Sequence, residues 1–365
     1  MPLCFGVWSA DNKREDRCEL LDAKETTVAL DTCPRAILPN VGGAGYYHFT
    51  FAENGFDELL ARFPKLSEAE QLATYSSLEA AFRSGEIDLR KMMKAVRLAA
   101  ASGAWDVQLA PIPLLEELGR IKRIEPLPGL ASVNRIYGAK TLRTGARQKR
   151  NENEAAALVR EELLRMVALW GREPKLRRLL MTIAEGAVLG ESQPTESQAT
   201  AVALAVRAQE TGEAFFKEAM ARLKVERDGY ARSELTFGLA YLPAAQLDAL
   251  FSVMLTDTFR VNESIALIQN LFEHPSHGPL VMAWMIENFD ALMARLPSQF
   301  QGRIFGNAKT LCGPQATEQL TKLAALAQSV QGGERALAQA TEAVELCMAL
   351  ASHARGAKPT TARVE

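Results

Sequence analysis

The sequence predicts a mostly α-helical protein: an irregular HEAT- or armadillo-like superhelix of paired helices, preceded by a small antiparallel β fragment. From Phe56 onward, apolar residues recur at helical spacing almost without interruption, and no strand-like run interrupts them. Before residue 53, short β-branched and aromatic runs alternate with prolines and glycines. So many medium-length helices in series exceed what one bundle packs around one core, which favours stacked helix pairs.

Three short runs near the N-terminus are typical of strands: Thr26–Leu30, Ala36–Leu38 and Tyr46–Phe51. Gly42, Gly43 and Gly45 lie just before the last of them. A dinucleotide-binding loop needs a strand before its glycines and a helix after them, because the helix N-terminus donates to the pyrophosphate. An aromatic run follows here, so we interpret the glycines as a turn. A β fragment this small is stable only if it packs against another sheet or against the helices that follow.

Helix-end signals divide the rest of the chain. Ser67–Glu70 is close to a capping box, and Asp228 and Asn262 are candidate N-caps. We therefore expect a β segment over residues 1–53, a helical domain over 54–352 and a polar, disordered tail over 353–365. The helical domain shows no strict sequence period, so consensus repeats are not indicated.

Composition limits the partners. Forty-two basic residues against forty-four acidic ones give a net charge of −2, so we do not expect a nucleic-acid partner. No run approaches the roughly 18 apolar residues of a membrane span, and the N-terminus lacks a signal pattern, which predicts a cytoplasmic protein that does not enter a membrane. The five cysteines are widely spaced and form no C-x-x-C. They indicate neither a disulfide framework nor a zinc site, and we expect small buried hydrophobic residues.

Candidate chemistry is sparse. His274 and His277 form the only close histidine pair, but Pro275 and Gly278 place it in a connector rather than on a metal-binding helix. The sequence has no G-x-S-x-G, Walker or H-E-x-x-H motif. We interpret three acid-rich spots as solvated helix faces rather than paired catalytic carboxylates: Glu116-Glu117, Glu152 with Glu154, and Glu161-Glu162.

The most basic segment runs from Arg135 to Arg150. On a helix, Lys140, Arg143, Arg147 and Arg150 would share one stripe, which could bind a carboxylate such as a peptide C-terminus. Two alternatives remain open. The stripe can be a solvent-facing surface balanced by nearby glutamates, or it can bind nucleic acid, in which case binding would weaken steeply with salt.

Several segments carry a family resemblance. Gly45, Tyr46 and Tyr47 match an "N…GYYR-V-Y" strand pattern, with His48 where arginine is usual. Degenerate helix motifs then follow in order at Arg232–Leu242, Val261–Ser264, Trp284–Leu292 with Arg295–Leu296, Leu311–Cys312 and Gly333–Glu342. Phe289 stands where the pattern has a second tryptophan. Together these segments resemble the C-terminal region of the zinc aminopeptidases of the alanyl and puromycin-sensitive type.

The resemblance implies the end of a β-sandwich followed by a helical superhelix that encloses the peptide over the active site. The family's catalytic motifs, G-x-M-E-N and H-E-x-x-H, are not found in this sequence. No catalytic or zinc residue is therefore transferred, no cofactor is assigned to this chain, and zinc is implied for a separate catalytic domain. The expected function is an accessory domain, inactive alone, with the catalytic domain and peptide substrate as partners. The alternative is a free-standing α-solenoid scaffold that binds protein or peptide partners.

Overall fold

The computed structural model describes residues 1–31, 33–52, 55–121, 130–189 and 197–354. Helices dominate these residues, and a small three-stranded antiparallel sheet lies near the N-terminus. The predicted fold class, mostly α with a small β fragment, is confirmed. The chain divides into two compact units: the first contains Met1–Pro113 and the residues from Ala349 onward, and the second contains Leu114–Met348.

The sheet consists of β1 (Pro2–Trp8), β2 (Arg14–Leu20) and β3 (Ala36–Leu38), in the order β2-β1-β3. Only β3 coincides with a predicted strand. The prediction of strands at Thr26–Leu30 and Tyr46–Phe51 is wrong. The pattern missed β2 because charged residues fill it and most of them stay exposed, so no apolar alternation shows.

The run Tyr46–Phe51 packs on helices instead of pairing in a sheet. The rings of Phe49 and Phe51 lie 6.1 and 4.9 Å from that of Phe56, centroid to centroid. The backbone N–H of Phe49 donates to Ser77 Oγ at 3.3 Å. Aromatic rings that suit a strand suit this helix-facing segment equally well, so composition alone does not separate the two.

In the described residues, the first unit contains four complete helices, and the C-terminal turns of the last described helix also belong to it. The four are α1 (Gly55–Arg62), α2 (Glu68–Arg83), α3 (Leu89–Ala100) and α4 (Trp105–Leu109). Buried apolar residues such as Leu59, Phe82 and Met92 form its core. The β fragment packs on these helices through β3, which contacts α1. The domain boundary predicted at residue 53 stays a prediction.

Glu70 joins the sheet, the glycine turn and α2. Its carboxylate accepts from Arg14 Nη2 at 2.6 Å and from the backbone N–H of Gly42 at 3.1 Å. It also closes the predicted capping box with Ser67, whose N–H donates to Glu70 Oε2 at 3.0 Å. Gly42 and Gly43 have φ values of 64° and 62°, the left-handed region that favours glycine. The interpretation of the glycines as a turn is confirmed, and the protein's own carboxylate accepts from the turn.

Among the described residues, fourteen helices lie wholly or mainly in the second unit. They are α5 (Ile112–Ile121), α6 (Leu130–Val133), α7 (Ala139–Thr144), α8 (Glu154–Arg165), α9 (Pro174–Val188), α10 (Ser197–Thr211), α11 (Glu213–Val225), α12 (Gly229–Leu239), α13 (Leu247–Met254), α14 (Val261–Glu273), α15 (Gly278–Glu287), α16 (Phe289–Arg295), α17 (Ser298–Gln301) and α18 (Pro314–Gln328). The last helix, α19 (Gly333–Ala354), begins in this unit and ends in the first.

Packing in the second unit runs between elements that are close in sequence. Helix α10 packs against α9 and α12, α12 packs against α14, and α15 packs against α18. Such neighbour-to-neighbour packing is typical of solenoid-like helical arrays. Turns of π-helix at Asn134–Gly138 and Met166–Trp170 interrupt the α-helices.

The helix-end predictions have mixed outcomes. Asp228 caps α12 by accepting from the N–H of Ala231 at 2.9 Å, as predicted. Asn262 is not an N-cap, because α14 begins one residue earlier and Glu263 accepts from the N–H of Arg260 instead. His353, placed in the predicted tail, lies in α19, where its Nδ1 is 3.0 Å from the carbonyl of Arg83. The rest of that tail, residues 355–365, lies outside the described residues.

The cysteine prediction is wrong for all five residues, because four form disulfides and the fifth is exposed rather than buried. Cys4 bonds Cys18, and Cys312 bonds Cys347, while Cys33 is exposed and free. Spacing did not reveal the pairs, because antiparallel register places Cys4 opposite Cys18 and helix packing brings Cys312 to α19. Disulfides are typical of oxidising compartments. They do not support the cytoplasmic location, which stays a prediction.

No single helix in the described ranges has both the length and the apolar composition needed to cross a membrane. Residues Gly229–Leu239 and Ala244–Met254 meet both requirements only when they are taken together across a bend of 115°.

A buried ion pair links two of the motif segments. Arg232 on α12 donates through Nε and Nη2 to both carboxylate oxygens of Glu263 on α14, at 2.6 and 2.7 Å, and each side chain is 6% exposed. Arg232 Nη1 also donates to the carbonyl of Leu223 at 2.6 Å. Burial raises the pKa of Glu263, but hydrogen bonds from Arg232 and the amide of Arg260 outweigh it and lower the pKa overall. The pair fixes how α12 and α14 pack.

Replacing Arg232 with Met should lower the free energy of unfolding by about 3–5 kcal/mol, because the buried Glu263 then keeps only the exposed Arg260, at 3.7 Å, as a cation. The double variant Arg232→Met/Glu263→Leu should recover at least half of that loss. Denaturant melts measure both. Equal loss in the single and double variants would contradict the buried-charge explanation.

Glu70→Gln should cost about 2 kcal/mol of unfolding free energy at pH 7, because charge-assisted hydrogen bonds are lost. Burial raises the pKa of Glu70, but the hydrogen bonds from Arg14, Gly42 and Ser67 lower it to about 2 overall, below the ordinary 4.5. Its stabilisation is therefore complete above about pH 4.5 and disappears as the pH falls toward 2. The gap between wild type and variant, from urea melts across this range, should close on acidification. Glu25→Gln, at an exposed residue, is the matched control; a pH-independent gap would contradict the assignment.

Candidate functional site

The four predicted basic residues do not form one helical stripe. Lys140 and Arg143 lie on α7, which ends at Thr144, and Arg147 and Arg150 lie in the following loop. Gly145 ends the helix: its φ is 84°, and its N–H donates to the carbonyl of Thr141 at 2.8 Å. Burial lowers the pKa of Lys140, and the nearby Arg143 lowers it further. A peptide-binding role for these residues stays a prediction.

Two glutamates of the acid-rich spots, Glu116 and Glu152, do not lie on solvated faces. Glu152 and Arg160 form a buried pair at 2.9 Å, with each side chain 4% exposed, and Arg160 also donates to the carbonyl of Ala146. Glu116 and Glu162 both bind Arg165, the former at 2.6 Å. The interpretation is therefore wrong for Glu116 and Glu152, whereas Glu162 is 35% exposed and pairs with Arg165 on its own helix. Charges spaced along a helix do not reveal which arginine from another element lies opposite them.

A cavity of about 580 Å³ lies in the second unit, between the α14–α15 connector, the start of α18 and α5. Its walls include apolar side chains, among them Phe272, Leu280 and Leu311. Arg120 and Gln319 supply a charged and an amide side chain at the same walls. An apolar pocket with a few polar groups is the usual form of a ligand site.

Arg120 is the unusual residue of this cavity. Its guanidinium lies 5.4 Å from the ring centroid of Trp170, but it forms no ion pair with any described residue. Its Nε is buried without a hydrogen-bond partner within the described ranges. Gln319 donates to the carbonyl of Pro279 at 2.7 Å, yet its Oε1 is likewise buried and unpartnered. Buried polar atoms normally have partners, so this cavity is the candidate ligand site among the described residues.

A second cavity, of about 320 Å³, adjoins the first and shares His274, Pro275 and Ser276 with it. The rings of His274 and His277 stack 3.5 Å apart. As predicted, both lie in a connector, between α14 and α15. Trp170 also lines this cavity, and its Nε1 is another buried donor without a partner among the described residues.

His274 and Tyr241 are polar side chains that line the second cavity. The N–H of Ser276 donates to His274 Nδ1 at 3.2 Å, so this nitrogen is unprotonated. Tyr241 packs edge-on against His274 at 5.1 Å, and burial raises the pKa of its phenol. The phenol therefore stays neutral. The walls of the second cavity present aromatic rings and a few hydrogen-bond donors, such as Trp170 Nε1.

A third cavity, of about 530 Å³, shares Arg172 and Gln209 with the second. Arg177, Arg178 and Glu210 also line it. The three adjoining cavities form what we call the groove, which begins at Arg120, passes the histidine pair and ends at the arginines of α9. A groove with successive compartments suits an extended, chain-like ligand better than a compact one.

Sequence patterns did not identify Arg120, Gln319 or Trp170 as site residues. They lie on α5, on α18 and in a π-helical turn, so long-range packing alone brings them to one groove. Within the described residues, no group of three or more His, Cys, Asp or Glu side chains could hold a metal ion. The described side chains thus offer no donor set for zinc, and we derive no metal-dependent step from them.

The model of the family described as the ERAP1-like C-terminal domain matches residues 36–346, which is well over half of the chain. No curated protein matches the chain.

Proposed function

The chain belongs to the family of ERAP1-like C-terminal domains, and from this premise we propose that it is the accessory, substrate-enclosing part of a zinc aminopeptidase. Its partners are the catalytic domain of the parent enzyme and the peptide substrate. The family match and the order of the sequence motifs support an aminopeptidase C-terminal domain. The groove supports the peptide-holding role. The observation on which this role rests is that Arg120 forms no ion pair with any described residue.

Arg120 suits the terminal carboxylate of a peptide. A guanidinium binds a carboxylate through charge-assisted hydrogen bonds, and the apolar walls beside it strengthen the attraction by excluding water. The other arginines of the unit that are buried, such as Arg160 and Arg232, already have carboxylate partners within the protein. Arg120 is left with an aromatic ring and a cavity. We therefore assign the peptide C-terminus to the first cavity.

The rest of the groove suits the residues that precede the terminus. Leu311 and Phe272 offer apolar surface in the first cavity, and Tyr241 and Trp170 offer aromatic surface in the second. Trp170 Nε1 and Gln319 Oε1 supply one donor and one acceptor that a peptide backbone can use. Such sparse polar contacts orient a chain without selecting strongly for its side chains.

The proposed domain does not hydrolyse peptides by itself. The sequence contains neither H-E-x-x-H nor G-x-M-E-N, and hydrolysis needs an activated nucleophile with positioned neighbours. Zinc and the catalytic residues belong in this proposal to the separate catalytic domain, while this chain admits and holds the substrate. Lys140 and Arg143 on α7 remain a second candidate for the carboxylate.

Arg120→Met should weaken binding of peptides with a free C-terminal carboxylate at least tenfold, because Met keeps the apolar stem but removes the charge. C-terminally amidated peptides should bind wild type and variant equally, and more weakly than the acid binds wild type. Calorimetric titration of both proteins with both peptides measures this. Lys140→Met is the matched variant that tests the α7 candidate. Equal affinity of acid and amide for wild type would instead favour the free-standing scaffold.

An aminopeptidase assay with added zinc should give no turnover above background with this chain alone, at concentrations where the chain binds peptide. Product release is followed with a chromogenic amino-acid amide and with an unlabelled peptide. Sustained turnover that a chelator abolishes would show that this chain carries its own metal centre and would overturn the accessory role.

A further inference from the structure

The third cavity carries an excess of positive charge. Arg172, Arg177 and Arg178 line it, and Glu210 is the carboxylate that faces them. Arg177 Nε donates to Glu210 at 3.0 Å, so this carboxylate is already paired. Arg172 and Arg178 are exposed and form no ion pair with any described residue. Two cations thus share one cavity without a counter-charge.

The neighbouring residues fix the position of Arg177 and occupy the two nearby carboxylates. Arg177 is held rigidly, because it donates to the carbonyl of Ala168 at 2.9 Å and to Gln209 at 2.7 Å as well as to Glu210. Glu173, the other nearby carboxylate, accepts from the N–H of Leu176 at 2.7 Å and caps α9. In the described part of the chain, neither acid forms an ion pair with Arg172 or Arg178.

The backbone of Arg172 supplies an independent observation. Its φ is 54°, the left-handed region that a residue with a bulky side chain seldom adopts. Gly171 precedes it and would adopt such a conformation more easily, yet the arginine has it. Backbone strain that persists in a cavity wall is typical of functional positions. Here it places an arginine where the second and third cavities meet.

We propose that Arg172 and Arg178 form a subsite for an acidic side chain of the peptide that occupies the groove, at a fixed distance before its C-terminus. The inference rests on the proposed function, because the same peptide places its terminal carboxylate at Arg120. A Glu or Asp side chain meets two exposed guanidinium groups there, and Gln209, shared by both cavities, lies beside the path of the chain. The preferred substrates are peptides with one internal acidic residue.

The test uses peptides with a free carboxylate and a single Glu that moves one position at a time away from the C-terminus, each with a matched Gln peptide. Affinities are measured at low and moderate salt. At one or two adjacent positions, Glu should bind at least fivefold more tightly than Gln, and the advantage should shrink as salt rises. A phosphoserine at the best position should bind at least as tightly as Glu.

Two variants locate the subsite. Arg178→Gln and Arg172→Gly should each abolish the preference for Glu, while Arg335→Gln, at an exposed arginine on α19, should keep it. Arg172→Gly should melt at the wild-type temperature or above, because glycine adopts the left-handed region readily. Lost preference with retained stability separates recognition from unfolding.

Three results would overturn the subsite. If Glu and Gln peptides bind equally at every position while acid and amide termini are still discriminated, this inference fails and the proposed function stands. If the preference persists in both variants, the acidic side chain binds elsewhere. If no peptide binds at all, the proposed function and this inference fail together.

Discussion

Burying an arginine inside a helical unit is costly unless its charge and donors are satisfied, and this constraint governs the second unit. The buried arginines bind carboxylates, and several also donate to a backbone carbonyl: Arg160 to Glu152 and Ala146, Arg177 to Glu210 and Ala168, Arg232 to Glu263 and Leu223. The partners lie on other helices or in loops. Each arginine therefore fixes the relative position of elements that apolar packing alone would leave free to slide.

The same constraint makes Arg120 informative. Glu116, one turn earlier on α5, pairs with Arg165, and Arg120 forms no ion pair with a carboxylate in the described part of the chain. A cation that packs on Trp170 beside an apolar cavity has lost some of its hydration without gaining a counter-charge. A ligand carboxylate would supply that charge. The stability of the fold and the affinity for a ligand thus depend on the same kind of contact.

In the first unit the buried charged group is a carboxylate, that of Glu70, and it too needs partners. Glu70 gathers one arginine and two backbone N–H groups, from the sheet, the glycine turn and the start of α2. A glycine-rich turn that could hold an anion from outside holds an internal one instead. Both units therefore use ion pairs to fix the relative positions of short elements. In the groove, Arg120 forms no such pair with any described residue.

The sequence by itself determined the helical class, the turn at the glycines, the capping of α2 and α12 and the family, because these depend on local spacing and on motif order. It misplaced two strands, one N-cap, all five cysteines and two glutamates. Whether an aromatic run forms a strand, whether a cysteine is paired and whether a glutamate is buried all depend on the element that packs opposite. The basic stripe failed for a local reason, since Gly145 ends its helix. Arg120, Gln319 and Arg172 come together only through long-range packing, which local periodicity cannot encode.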